Sequence, residues 1–515
     1  MSLLTLLAIV FYTLVLGWRG VGEAGVAWID TIRAANQAAL SDKPWTLATP
    51  HPGLDLLGIP LLAIGESSRL AALGWVSAIC TGLTVPAVWM LGHRLGREWG
   101  AISACVLFLG LPVVTGAATT TSPGAVVLML WTWFFALSTR AELSWRGWLA
   151  VCLLAGVLAV SWAPFLIWLA AWFLLVLVQE GRLAQAEGRE SASPGFVGAS
   201  TLPVGLVATL LVGIAAPIGI VMLGAGDLAA GFEALLRQGL LTQTETVLFA
   251  GESFSKSRPP LVAGVSWWLI QSPSIFVVLA AFGFVGGTER GRAWLDEHVP
   301  SHVEQGFALG LIPLVLAFLW LIPWLTRARA FGGVDPVLLG QPIMAALAGA
   351  AITWMVAGLV ERLRDSLSGR ILAAIAGVMG AVAFAPGLVE SARLHPLQSA
   401  HYNVFVGGTD GAVEAGFPPT TDDTLPTVVA VRLAELAGAQ PVDPGPYRRQ
   451  IEAMVHDRII PPVAFADKKQ QPDLILRLRG PLARENQPSP FKRAQWSAGD
   501  AVVFEVLVMQ PPPAE

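Results

Sequence analysis

Charge is the first thing this sequence lacks. Only 13% of its 515 residues are Asp, Glu, Lys or Arg, against 54% hydrophobic, whereas a soluble globular domain carries about a quarter charged. Lysine is nearly missing from the first four hundred positions, where Lys43 and Lys256 stand alone. The 32 basic and 36 acidic residues almost cancel, so no basic field exists to hold nucleic acid. Cysteine is scarce too. Cys80, Cys105 and Cys152 all sit in apolar segments, where they read as small core residues and imply no disulfide framework. The N-terminal apolar stretch, 2–17, has no basic n-region and no convincing A-x-A site, so it reads as a retained anchor rather than a removed signal peptide. No P-loop, zinc cluster or G-x-S-x-G elbow occurs, and no cluster demands a metal.

Two apparent motifs dissolve on inspection. Gly20-Val21-Gly22-Glu23-Ala24-Gly25 has the dinucleotide spacing, but it follows an apolar run instead of a strand and reads as a flexible turn. His298 and His302 are i, i+4, yet Pro300 between them spoils the helix face a metal needs.

What is present is a series of apolar runs near 2–17, 70–92, 99–116, 122–139, 147–161, 163–179, 201–223, 263–285, 305–324, 337–359 and 371–388. A bilayer takes about 20 apolar residues per crossing, so about eleven transmembrane helices are expected. Arginines recur in alternate short loops, among them Arg94, Arg97, Arg140, Arg146, Arg182, Arg189, Arg290, Arg292, Arg362, Arg364 and Arg370. The positive-inside rule places those loops in the cytoplasm. Two long loops, 18–69 and 224–262, then face outward, and an odd number of spans leaves the C-terminus outside. From about Val389 the composition turns polar and Pro-rich. Helical patterns at 427–438 and 447–458 and strand patterns at 474–478 and 502–508 predict a small soluble α/β domain over 389–515. The expected fold is an all-α polytopic membrane domain, 1–388, with a small C-terminal α/β extracytoplasmic domain. The location is the plasma (inner) membrane.

The long outward loops hold the chemistry. In the first, Trp28, Ile32, Ala35 and Ala39 share one side of a helix, while Asp30, Arg33 and Gln37 share the other. Such a helix suits a membrane surface, with a carboxylate held up to water, and equally a solvated helix carrying an ordinary Asp30–Arg33 pair at i, i+3. The same loop offers Glu23, His51 and Asp55. The second offers Glu245, Glu252, Lys256 and Arg258, and Arg327, Arg329 and Asp335 precede the tenth run. Carboxylates beside cations at one membrane face suit reaction at a sugar hydroxyl next to a phosphate, with a base for the acceptor and cations for the leaving group.

Several stretches carry a family resemblance: Asp30 with IRAANQAAL, His51-Pro52-Gly53-Leu54, Arg69-Leu70, and FAGESFSKSRPP followed by a helix broken at Ser272-Pro273. To these add AFGGVDPVLLGQPIMAALAG and His401-Tyr402-Asn403 with Val406-Gly407-Gly408 and Gly411-Ala412. Together they resemble the membrane glycosyltransferases of the GT-C fold, in particular the bacterial relatives of protein O-mannosyltransferases and of the lipid A aminoarabinose transferase. The resemblance implies a polyprenyl-phosphate-linked sugar as donor, inversion at the anomeric carbon, and an outer-loop aspartate, here Asp30, as base. Glu23, Arg33, His51, Asp55, Lys256, Arg258 and Arg327 are the expected substrate-binding residues. The expected partners are membrane lipids, the lipid-linked donor and a glycan, lipid or protein acceptor.

The chain also departs from the family. Ser122 stands near the position of a second aspartate, Ser161-Trp162 where many relatives have lysine, and Thr31 where the pair after Asp30 is usually acidic. A catalytically degenerate scaffold, or a lipid-binding or transport protein, therefore stands as the alternative. Transport would call for ionisable residues within the spans, and these have almost none.

Overall fold

The computed structural model describes residues 2–19, 28–30, 32–33, 36–37, 54–55, 58–121, 123–139, 144–174, 202–225, 247–254, 258–286, 307–327, 334–363, 368–394, 397–418, 425–456, 458–466, 472–478, 491–498 and 501–508. Each apolar run falls, wholly or in its described part, on helix. In order these are α1 (Ser2–Arg19), α2 (Glu66–Gly110), α3 (Pro112–Thr119), α4 (Gly124–Ser138), α5 (Trp145–Ser161), α6 (Phe165–Leu174) and α7 (Leu202–Ala225). After them come α8 (Ala263–Gln271), α9 (Ser274–Gly286), α10 (Phe307–Thr326), α11 (Pro336–Leu363) and α12 (Gly369–Arg393).

The helices pack closely where side chains are small. The backbone of α2 reverses at Gly96 and Arg97, the latter with φ 54°, so its two arms fold into a hairpin with Gly92 against Gly100 and Ala104. The hairpin lies along α11. At Gly349 a Cβ would sit 2.6 Å from both Ala104 N and Gly100 O, an approach only glycine allows, and such small-residue contacts are how helices associate in lipid. Arg94 ties the hairpin turn to the end of α4, donating to the Ala136 carbonyl and the Thr139 hydroxyl, each at 2.6 Å.

A second core region is aromatic. Trp131, Trp162, Phe165, Trp168 and Phe318 meet with ring centroids 5.5–6.4 Å apart, and Phe134 and Trp172 extend the cluster. Edge-on pairs of this kind add about 0.5–1.5 kcal/mol each beyond burial.

The outward faces of the helices are also apolar. Leu3, Leu7 and Leu14 on α1, Leu149 and Leu153 on α5, Val278 and Val285 on α9, and Val378 and Val382 on α12 are all exposed. Faces like these are at home in hydrocarbon and costly in water, and they make the chain an integral membrane protein. Among the described residues two helices, Arg69–Gly110 and Pro336–Leu363, combine the length and hydropathy needed to cross a bilayer. The run 263–285 is two helices rather than one: Pro273 cannot donate an N–H and disfavours helix at the residue before it, so α8 stops at Gln271 and Ser272 is extended.

The C-terminal segment folds as a separate layer. Helix α12 runs on to Arg393, a few residues past the expected boundary, and is followed by α13 (Gly408–Glu414), α14 (Thr427–Ala437), β3 (Val442–Asp443), α15 (Arg448–His456), β4 (Leu474–Leu478), β5 (Phe491–Ala498) and β6 (Ala501–Val508). The sheet order is β3-β4-β6-β5, with β3 parallel to β4 and the rest antiparallel. Strand β6 is central and buried from Val503 to Leu507, which explains why its apolar residues do not alternate with polar ones. Its one charge, Glu505, lies opposite Arg477 of β4 and accepts from its Nε at 2.7 Å. Of the helices in this segment, α14 buries Val429, Ala430, Leu433, Ala434 and Ala437, and α15 buries Gln450, Ile451 and Met454.

Candidate functional site

The described parts of the first long loop are helical at residues 28–30, 32–33 and 36–37. Trp28 and Ile32 are buried, while Arg33 and Gln37 are exposed, so the two faces fall as the spacing predicts. Ala35 and Ala39 lie outside the described residues. Ile32 packs where a Cβ on Gly58 would stand, 2.5 Å from its Cδ1, which seats the helix on the turn leading into α2. That turn, a short 3-10 helix at Ile59–Ala63, is held by Arg69, which donates to the carbonyls of Leu62 at 2.7 Å and Ile64 at 2.9 Å.

Asp30 is 45% exposed and faces a cation on each oxygen. Arg33 Nη1 stands 3.4 Å from Oδ1, and Arg449 Nη1, from α15 of the C-terminal layer, stands 3.8 Å from Oδ2. Asp55, expected among the surface carboxylates of this loop, is instead fully buried beside Leu54. Trp162, where relatives have lysine, is fully buried in the aromatic cluster.

In the second long loop, β1 (Val247–Phe249) and β2 (Glu252–Phe254) form a hairpin. Gly251 N donates to Gly416 O at 3.0 Å, and both glycines have positive φ, 80° and 84°. A Cβ on Gly416 would run into the Gly251 backbone, so this backbone contact between the hairpin and the C-terminal layer requires glycine. Phe249 packs edge-on against both Phe417 and Trp267. Beyond the hairpin, Arg258 is exposed and lays its guanidinium over Trp324, 4.3 Å from the ring centroid, a cation–π contact. Arg327 follows at the end of the same helix, half-exposed and with φ 56°. The structure thus brings Arg258 and Arg327 to one end of α10. Asp335 accepts from Val337 N at 2.8 Å, just ahead of α11, and is a helix cap. Glu23, His51, Ser122 and Lys256 lie outside the described residues.

The C-terminal layer is joined to the bundle at the α8–α9 break. Asn403 N donates to Ile270 O at 2.8 Å, and its side-chain amide donates to the carbonyls of Leu269 and Ser272. Ser272 Oγ also accepts from Gln341 of α11 at 3.1 Å. Next to Asn403, His401 Nδ1 is 3.4 Å from Glu390 Oε2. Burial lowers His401 to about 4 and raises Glu390, the latter opposed by Arg393. The geometry is that of an ion pair, but burial favours the neutral form of each partner, so the imidazole is neutral at pH 7.

Arg449 and the role of Asn403 were not visible in the sequence. Nothing separates Arg449 from its neighbour Arg448, which instead binds Glu452 at 2.9 Å and stacks on Phe465.

Over most of its length the chain is similar to solved structures of the GT-C fold. ArnT from Cupriavidus metallidurans bound to undecaprenyl phosphate is 14% identical with a TM-score of 0.45, over 99% of this chain and 98% of that one. The same protein in the apo state is 15% identical with a TM-score of 0.44. The Archaeoglobus fulgidus oligosaccharyltransferase tethered with an acceptor peptide is 14% identical with a TM-score of 0.45, over 88% of this chain and 63% of that one, so this chain spans less than two thirds of its length. No family model matches the chain, and no curated protein does.

Proposed function

We propose that the protein is a membrane glycosyltransferase that moves a sugar from a polyprenyl-phosphate carrier to an acceptor on the extracytoplasmic side, with Asp30 as general base. The observation that carries this reading is the setting of Asp30. Its helix buries Trp28 and Ile32 and leaves the carboxylate half-exposed between the first loop and the soluble layer. As the acceptor oxygen bonds to the anomeric carbon, Asp30 takes the hydroxyl proton. The bond from that carbon to the phosphate oxygen breaks on the opposite face, inverting the centre, and the polyprenyl phosphate leaves with the electron pair. Charge develops on the departing phosphate, so cations aimed at it favour the transition state over the ground state. Arg258 and Arg327, gathered at one end of α10, supply that charge together with Lys256. Glu23, Arg33 and His51 line the substrate, and the bilayer holds the donor's lipid tail.

About eleven crossings and an extracytoplasmic 389–515 belong to the same proposal. Protease added to intact spheroplasts should trim that layer while sparing residues 182–189. Protection of the layer until permeabilisation would reverse the orientation.

The activity test incubates purified protein with a panel of polyprenyl-phosphate sugars and measures released carrier. Asp30→Asn keeps shape and polarity but removes basicity, so transfer should fall about 10²-fold or more at unchanged thermal stability, and Glu23→Gln should be far milder. Normal turnover by Asp30→Asn would move the base elsewhere. If the wild type consumes no lipid-linked sugar, the scaffold reading replaces this one.

A further inference from the structure

We infer that the soluble layer completes the active site, and that Arg449 is a positioning residue for Asp30; this rests on Asp30 being the base. The two oxygens of Asp30 are held from different directions. Arg33 reaches Oδ1 from three residues along the same helix, and Arg449 reaches Oδ2 from α15, more than four hundred residues later in the chain. The aim of Arg449 is set by its own layer. Gln450, Ile451 and Met454 are buried, and Gln450 accepts from Leu425 N at 2.7 Å, which fixes the rotation of α15 and leaves position 449 exposed.

An ion pair with partners 72% and 45% exposed contributes little stability. What it does supply is direction. A guanidinium forks onto both oxygens of a carboxylate when nothing competes, and Arg33, tethered close by, is placed to do so. Arg449 holds the second oxygen toward the soluble layer, free of that fork and available to the acceptor hydroxyl. Its contact is too long for a hydrogen bond, so the oxygen keeps its lone pairs for the proton.

The test compares Arg449→Ala and Arg449→Lys with wild type in the carrier-release assay. Arg449→Ala should lower kcat about 10- to 10²-fold, the scale of a misplaced catalytic group, and leave the donor KM within about twofold. Arg449→Lys, which keeps the charge, should recover most of kcat. An unchanged kcat in Arg449→Ala, a loss confined to KM, or equal loss in both variants overturns the inference while leaving Asp30 as base intact. Geometry is tested apart from turnover. In Asp30→Cys/Arg449→Cys protein a short bifunctional thiol reagent should yield a linked peptide by mass spectrometry, and its absence overturns the inference too. If wild-type protein consumes no lipid-linked sugar, the base assignment fails and this inference falls with it, linked peptide or not.

Discussion

The side-chain amide of Asn403 donates to the carbonyl oxygen of Ser272 at 2.8 Å, across 131 residues of chain. Together with the amide's bond to Leu269 and the Asn403 backbone N–H bond to Ile270, it satisfies carbonyls that the Ser272-Pro273 break deprives of helical partners. One residue thus closes a broken helix and fastens the C-terminal layer to it.

Replacing that donor should loosen the junction. Asn403→Asp keeps the shape but cannot donate, and each buried carbonyl left unpaired costs about 1–3 kcal/mol. Faster proteolysis of 389–515 and a lower melting temperature are expected. A variant as resistant as wild type would mean the layer is held mainly elsewhere.

The same junction should respond to acid. His401 falls from its ordinary 6.5 to about 4 because it is buried, so the unfolded chain takes up the proton first. The stability this confers is complete above about pH 6.5 and declines as the pH falls toward 4. Glu390, raised by burial, works in the other direction, favouring the folded state at low pH. Melting temperatures between pH 7.5 and 4.5 should therefore decline less steeply in His401→Gln than in wild type, and more steeply in Glu390→Gln.

Phosphate binding should depend on Arg258 and on the ring beneath it. Arg258→Ala with Lys256→Ala should weaken donor affinity and make what remains less sensitive to salt, since the attraction is Coulombic. Trp324→Leu, which removes the surface under the guanidinium, should reproduce part of the loss. Unchanged affinity in the double variant would assign these cations to the membrane edge alone.

At the centre of the bundle, Gly349→Val places new atoms against the Ala104 and Gly100 backbones, which cannot swing aside. Overpacking of this kind costs about 1–3 kcal/mol or more, to be read as a lower melting temperature in detergent. Val378→Leu, on the exposed face of α12, is the control and should change little.

Elements with a strong period were legible in the sequence. The Asp30 helix turned the faces its spacing demands, and Leu474–Leu478 and Thr427–Ala437 stand where alternation and amphipathicity put them. Strand β5 escaped because FKRAQWSA breaks the apolar alternation after Phe491, where the pairing with β6 skips Arg493; a second irregularity falls between Trp496 and Ser497. The burial of Asp55 was hidden because it follows a polar His-Pro-Gly turn, and burial there is decided by tertiary packing. Long-range pairs such as Arg449 with Asp30 leave no local trace at all. Only the fold brings their loops together.

The contact between Asp30 and Arg449 also sets a timetable for the making of the protein. At about 5–20 residues per second of synthesis, roughly 20–80 s separate the appearance of the two side chains. For that interval the first loop is already at the membrane while its counterpart does not yet exist. A chain cut short before α15 would carry Asp30 without the second cation that faces it in the finished fold.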